Sequence, residues 1–183
     1  MGKTKRPYLC SMLTCNVQIE AIEAGDRDLL MDLMKTYRDM VNDLSAIAFK
    51  EGLFSYSELH DTFYYAIREK YPIAPSQTVI KALREVVATY QTMKSNKKPA
   101  KKAFEKRNLS LRLDKRIFSK SDDPFRVNII TTEKRKWFSM KRYARLEEFM
   151  GRCGYQDPLL FIRDEKIFLG LPFETSVPQR EPT

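Results

Sequence analysis

With one histidine, three cysteines and six glycines in 183 residues, the chain has little material for several common chemistries. His60 stands in a helical stretch next to Asp61 and away from any nucleophile motif, whereas a Ser-His-Asp or Cys-His machine needs a base aimed at a nucleophile. It reads as a helix-surface residue. Cys10, Cys15 and Cys153 are odd in number and include no CxxC pair, so neither a disulfide framework nor a structural zinc site is expected, and the expected compartment is the reducing cytoplasm. The scattered glycines form neither GxxxxGK[ST] nor GxGxxG, the loops that cradle phosphates. Asp122 and Asp123 are adjacent in a polar turn and the other acidic residues fall mostly on helix faces. A two-metal nuclease site needs carboxylates brought together on rigid strands, so it is not expected either. No apolar run approaches the roughly 18 residues that span a bilayer. The basic N-terminus "MGKTKRPYLCSML" has too short and interrupted an apolar stretch for a signal peptide. The chain therefore reads as a binding protein, not an enzyme, with no cofactor and no membrane implied.

What is abundant is positive charge, and it is localised. Residues 1–90 and 151–183 each carry a net charge of −1, whereas residues 91–150 carry +11. Charge meant only for solubility would be spread along the chain; a local surplus is the footprint of a polyanion partner. The chain is also 43% hydrophobic and 11% aromatic, enough for a packed core and unlike a disordered basic tail.

The apolar pattern changes period twice. In "TCNVQIEAI" Cys15, Val17, Ile19 and Ala21 alternate with polar residues, predicting a half-buried strand over 14–22. From Asp26 to Lys50, Leu30, Leu33, Met34, Tyr37, Val41, Leu44 and Ile47 make a helical stripe, and Gly52 is suited to stop it. Ser55 and Glu58 form a capping box for a second helix with the stripe Leu59, Phe63, Ile67, ended by Pro72. Pro75 suits the first turn of a third helix running through Tyr90 to Met93. "KSNKKPAKKAFEKRN" has no stripe and reads as a basic connector. Alternation returns in "LSLRL" and "FRVNII", with Leu109, Leu111, Leu113, Phe125, Val127 and Ile129 inward and a turn at "SKSDD" with Pro124. "KWFSMK" continues as strand and "RYARLEEFM" as a short helix, with Trp137 and Phe138 both expected in the core. The last hairpin sets Leu159 and Phe161 against Ile167 and Leu169 across "RDEK". The fold class expected is α+β: a small β-barrel or sheet (13–22 with 103–177), a helical block (26–98) inserted after the first strand, and a linker-like tail (178–183).

The basic residues fall in three groups. Lys94, Lys97, Lys98, Lys101, Lys102, Lys106 and Arg107 surround Phe104; Arg112, Lys115 and Arg116 sit in or just after a strand; Lys134, Arg135, Lys136, Lys141 and Arg142 surround Trp137 and Phe138. Cations on phosphates release condensed counterions, giving salt-dependent binding, and exposed aromatics stack on unpaired bases.

This order of strand, helices, basic connector, strands and closing hairpin resembles the N-terminal half of the TnpB proteins, the RNA-guided nucleases ancestral to type V CRISPR effectors. "LREVVATYQTMK" and "LLFIRDEKIFLGLPFETSVP" are the stretches most similar to that family. The resemblance implies an oligonucleotide-binding-like wedge barrel and a three-helix recognition lobe. Together they would bind a structured guide RNA and target DNA, with sequence reading delegated to base pairing. It implies that Tyr56, Ser76, Gln77, Ile80, Lys81, Asp114, Lys115 and Arg116 approach the motif flanking the target, and that Arg112 and the lysine run track phosphates. Ile80 departs from the family, which often has a polar residue there. The family continues into a segment like "GVDLG" carrying the first carboxylate of a RuvC nuclease domain, and the sequence ends at Thr183 before it. The expectation is a binding module without nuclease activity of its own: a truncated derivative, a fragment, or one half of a split effector partnered by a separate RuvC-type chain or a second copy. The competing reading is a protein-interaction or regulatory protein whose basic surface binds nucleic acid nonspecifically.

Overall fold

The computed structural model describes residues 8–20, 23, 25–98, 100–152 and 154–178, with side chains described between residues 12 and 174. The order is β1 (Tyr8–Glu20), α1 (Asp26–Glu51), α2 (Tyr56–Lys70), α3 (Ser76–Ser95), β2 (Ser110–Arg112), β3 (Phe118–Lys120), β4 (Arg126–Ile130), β5 (Arg135–Met140), α4 (Ala144–Arg152), β6 (Leu159–Arg163) and β7 (Lys166–Pro178). The seven strands form one antiparallel sheet in the order β2-β6-β7-β1-β5-β4-β3, with β1 at its centre. No ladder joins β2 to β3 among the described residues, so the sheet is open; these two edge strands are consecutive in the chain, linked by residues 113–117.

The helices form where the spacing predicts them. Leu30, Leu33, Met34, Tyr37, Val41 and Leu44 of α1 are buried, and α3 packs Val79, Ala82, Leu83, Val86 and Tyr90 between α1 and α2. Gly52 closes α1 with φ +69°, a left-handed conformation that turns the chain so that the Leu53 N–H reaches the Ala48 carbonyl at 3.0 Å and that is strained for a residue with a side chain. The Ser55 hydroxyl accepts from the Glu58 amide and bonds the Glu58 carboxylate, starting α2. Pro75 stands just outside α3, as its N-cap, and its carbonyl accepts from the Thr78 amide and hydroxyl. The connector is irregular, as its pattern predicts, but its second half is fastened to α1. Asn42 clamps the backbone of Lys106 through both amide atoms (2.7 and 3.1 Å), and the Ser45 hydroxyl donates to the Phe104 carbonyl (2.8 Å).

Cys15, Val17 and Ile19 face the core from β1, whereas Ala21 and the 179–183 part of the tail lie outside the described residues. β1 starts at Tyr8, earlier than its alternation suggested, and pairs with β7 from Tyr8↔Pro178 to Gln18↔Phe168. Two expectations need correcting. On β6 the buried residue is Leu160, which pairs with Leu169 while Ile162 pairs with Ile167; Leu159 and Phe161 lie on the opposite face, where Phe161 stacks on Phe168 at 5.7 Å. On β5 Phe138 is fully buried but Trp137 is 39% exposed, because neighbouring residues on a strand point to opposite faces.

Candidate nucleic-acid interface

The segments carrying the expected flanking-motif contacts meet at Asp114, in the link between β2 and β3. Its carboxylate accepts from Gln77 Nε2 at 2.7 Å, lies 3.3 Å from Lys81 Nζ, and accepts from the backbone N–H of Arg116 at 3.0 Å and of Ile117 at 3.3 Å. Gln77 returns its amide oxygen to Arg116 Nη1 at 3.2 Å. Gln77, Lys81 and Arg84 come from α3 at spacings of four and three, which place them on one helix face. Burial pulls the Asp114 carboxyl upward, but the Gln77 and Arg116 hydrogen bonds and the Lys81 charge outweigh it and hold the group below the ordinary aspartate range.

Beside this network a cavity of about 350 Å³ is lined by Gln77, Arg84, Asp114, Lys115, Arg116 and Asp157. One Nε2 proton and the amide oxygen of Gln77 are used internally, so it holds Asp114 and Arg116 in place beside the cavity that it lines. The remaining donors of Arg116, with exposed Lys115 and Arg84, are what the cavity offers: two guanidinium forks and an ammonium, suited to phosphate or to a base edge. Tyr56 joins through Arg84, whose guanidinium lies 5.5 Å from its ring. Ser76 is exposed at the start of α3, and Ile80 is half-buried one turn on. Larger cavities lie elsewhere, one of about 600 Å³ beside Phe54, Tyr90 and Lys94 and one of about 530 Å³ between Ile19, Leu30 and Ile167. Neither gathers such a set of cations.

The expected phosphate contacts divide in two. Lys94, Lys97, Lys98, Lys101 and Lys102 are exposed and have no ionic partner among the described residues. Lys134 and Lys141 are exposed as well. Arg107 lies 3.4 Å from Glu105, Arg112 donates to the Asp157 carbonyl at 3.3 Å, and Arg142 meets Asp123 at 3.3 Å while lying 4.5 Å from the Phe125 ring. Arg135 donates to the Asn128 side chain and to the Arg116 carbonyl, tying the third basic group to the Asp114 cluster. Lys106 and Lys136 are corrections. Lys106 is 14% exposed and its ammonium sits 2.7 Å from Glu85, so it is an internal tie between connector and α3. Lys136 is 16% exposed and lies 2.6 Å from buried Asp26 and 3.2 Å from Glu23; those hydrogen bonds hold its ammonium above the usual lysine range and fasten the start of α1 to β5.

No family model matches the chain, and no curated protein matches it.

The residues that sequence reasoning did not single out are Arg84, Asp157, Arg126 and Asn128. Arg84 could have been found from its spacing after Gln77 and Lys81. Trp137 could have been turned outward by parity, since Phe138 and Met140 are buried. His60 lies on α2 with its ring 5.5 Å from Tyr56 and 4.9 Å from Tyr64, and no nucleophile is among its described contacts.

Proposed function

We propose that this chain is a nucleic-acid-binding module of a TnpB-like, RNA-guided DNA-targeting system. In this reading the open sheet takes the place of the oligonucleotide-binding-like wedge barrel and α1–α3 are the recognition lobe. The observation that carries it is the convergence of Gln77, Lys81 and Arg116 on Asp114, which presents Arg84, Lys115 and Arg116 at a cavity between helices and sheet. The unpaired lysines at 94–102 and the arginines of the β4–β5 hairpin extend the cationic surface on either side in sequence. The ligands are a structured guide RNA and the duplex beside its target; catalysis is assigned to another domain or chain of RuvC type.

The test is to purify the chain from its host, sequence the copurifying nucleic acid and identify copurifying proteins. One discrete structured RNA supports the proposal; random RNA that washes off at moderate salt refutes the guide-scaffold part. Neutralising Lys97, Lys98, Lys101 and Lys102 together must weaken RNA binding, and unchanged affinity would sink the phosphate-tracking role. The alternative, a protein-interaction module, draws on α2, where Leu59 and Ile67 are buried while Tyr65 and nearby Ile73 are largely exposed. A stable protein complex free of nucleic acid, lost on Tyr65→Ser with Ile73→Ser, would favour it.

A further inference from the structure

The β4–β5 hairpin presents an outer face that is aromatic and basic. Trp137 stands in the middle of β5, 39% exposed, opposite Asn128 of β4. Arg126, diagonal to it across the ladder, is exposed and places its guanidinium 5.3 Å from the indole ring. Asn128 is 7% exposed and accepts from Arg135 at 3.3 Å, while its amide nitrogen donates to none of the described residues. Arg135 is held at its other end by the Arg116 carbonyl at 2.6 Å. Exposed Lys134 lies in the hairpin turn. A large ring held on a paired strand is a rigid surface, and the exposed charges around it are Arg126, Lys134 and Arg135, with Glu20 across from Ser139 and Glu133 in the turn.

Resting on the nucleic-acid reading above, we propose that Trp137 is a stacking platform for an unpaired base of a single-stranded nucleic acid. Arg126 and Lys134 take the flanking phosphates, and the free amide of Asn128 is a donor for the base edge. A tryptophan offers its π-face to any base, so the site is tolerant of sequence. It requires an unpaired nucleotide, because a base inside a duplex is already stacked on both sides. The cations on the same face favour a polyanion over a neutral protein helix, and the exposed indole favours an unpaired base over an acidic helix, which would leave the ring without a flat partner.

Trp137 is the single tryptophan of the chain, so intrinsic tryptophan emission reports this site alone. A single-stranded oligouridylate of about ten nucleotides, within the footprint of comparable single-strand binders, is titrated against the whole chain. A blunt duplex of the same length serves as the comparison, and binding is followed by both anisotropy and tryptophan quenching. The expected result is quenching by the single strand and little by the duplex. Trp137→Ala weakens the single strand about ten-fold or more with duplex affinity unchanged, and Trp137→Phe retains part of it. Binding by anisotropy without quenching overturns the platform and leaves the broader reading standing. Equal quenching by both, or equal loss of both in Trp137→Ala, also overturns the platform. Binding of neither oligonucleotide overturns both readings. Oligothymidylate in parallel shows whether the site distinguishes RNA from DNA. Arg126→Gln, which leaves the indole in place, must weaken the single strand even if Trp137→Ala fails to fold.

Discussion

Lys106 separates two accounts of the basic connector. Counted by charge it belongs with its lysine neighbours as a phosphate contact; by geometry it is part of the fold. Its ammonium lies 2.7 Å from Glu85 Oε1, 3.4 Å from the Ser110 hydroxyl and 5.7 Å from the centre of the Tyr37 ring. The other Glu85 oxygen accepts from the Tyr37 hydroxyl at 2.7 Å, and burial, then the Glu85 charge, push that hydroxyl far above the ordinary tyrosine range, so it stays a donor. Lys106→Met keeps the aliphatic stem and removes the charge, leaving Glu85 with one neutral donor. Breaking a fully buried pair costs about 3–5 kcal/mol and an exposed one about 0–1; Glu85 is 34% exposed, which places the loss at about 1–2 kcal/mol. For a chain of this size that lowers the melting temperature by about 3–6 °C. Asn42 still clamps the backbone at this position, so the connector keeps its path. The assays are urea denaturation and the dependence of duplex affinity on salt. Lys106→Met loses stability with its salt slope unchanged, whereas Gln at Lys97, Lys98, Lys101 and Lys102 together keeps stability and reduces the slope by about 3–4. A Lys106→Met protein with full stability and a slope reduced by about one would refute the assignment.

Three further outcomes are expected. Asp114 has a folded pKa below its unfolded one, so the stability it contributes is present above the unfolded value and lost as pH falls through the folded value. In a carboxyl NMR titration Asp114 therefore titrates below the exposed aspartates, and titration at or above them would contradict the network. The Tyr155 hydroxyl is buried without a hydrogen-bond partner among the described residues, so Tyr155→Phe raises stability by about 1 kcal/mol; a loss of that size in chemical denaturation would mean the hydroxyl is engaged. In the β6–β7 turn Asp164 and Glu165 have φ of +48° and +59°, the conformation that favours Asn-Gly, so Asp164→Asn with Glu165→Gly stabilises by about 1–2 kcal/mol, and an unchanged urea midpoint would count against strain there.

Where one face of an element was apolar, the sequence was legible. α1 and α2 could be read from stripes and caps because side chains three and four apart must share a face, whatever packs against it. β6 could not: Leu-Leu-Phe-Ile is apolar at every position, so alternation carries no parity, and the inward set was set instead by the two-residue turn that pairs Ile162 with Ile167. β3 is three residues long, too short to show a period, and is specified by its ladder with β4. Composition found the charged third of the chain but could not sort its members. The partners of Lys106 and Lys136 lie 21 and 110 residues away, and no local pattern reports them. The convergence on Asp114 spans 37 residues to Gln77, and no spacing in the sequence reports it.

The distribution of ties explains why the free cations lie where they do. α3 is tied to the sheet near its start by Gln77 and Lys81 on Asp114, and to the connector by Glu85 on Lys106; α1 is tied to β5 by Asp26 on Lys136. Two of these ties consume a lysine of the basic third, Lys106 and Lys136, and the remaining one consumes a carboxylate of the same segment, Asp114; each fixes a helix relative to the sheet or the connector. Among the described residues, the cations left without an ionic partner include the 94–102 run, before the Asn42 clamp, Arg84 and Lys115 at the cavity, and Arg126 and Lys134 on the β4–β5 hairpin. A polyanion meeting that surface orders lysine side chains but not the backbone frame, so most of the conformational cost of the interface has already been met in folding. Amide exchange should show this directly: protection in α1, in α3 before Lys94 and in β5 is the same with and without bound RNA, and added protection is confined to residues 94–102 and to the hairpin turn at Lys134. Protection gained throughout α3 on binding would mean that the helical block is assembled by its ligand and that these ties are too weak to hold it alone.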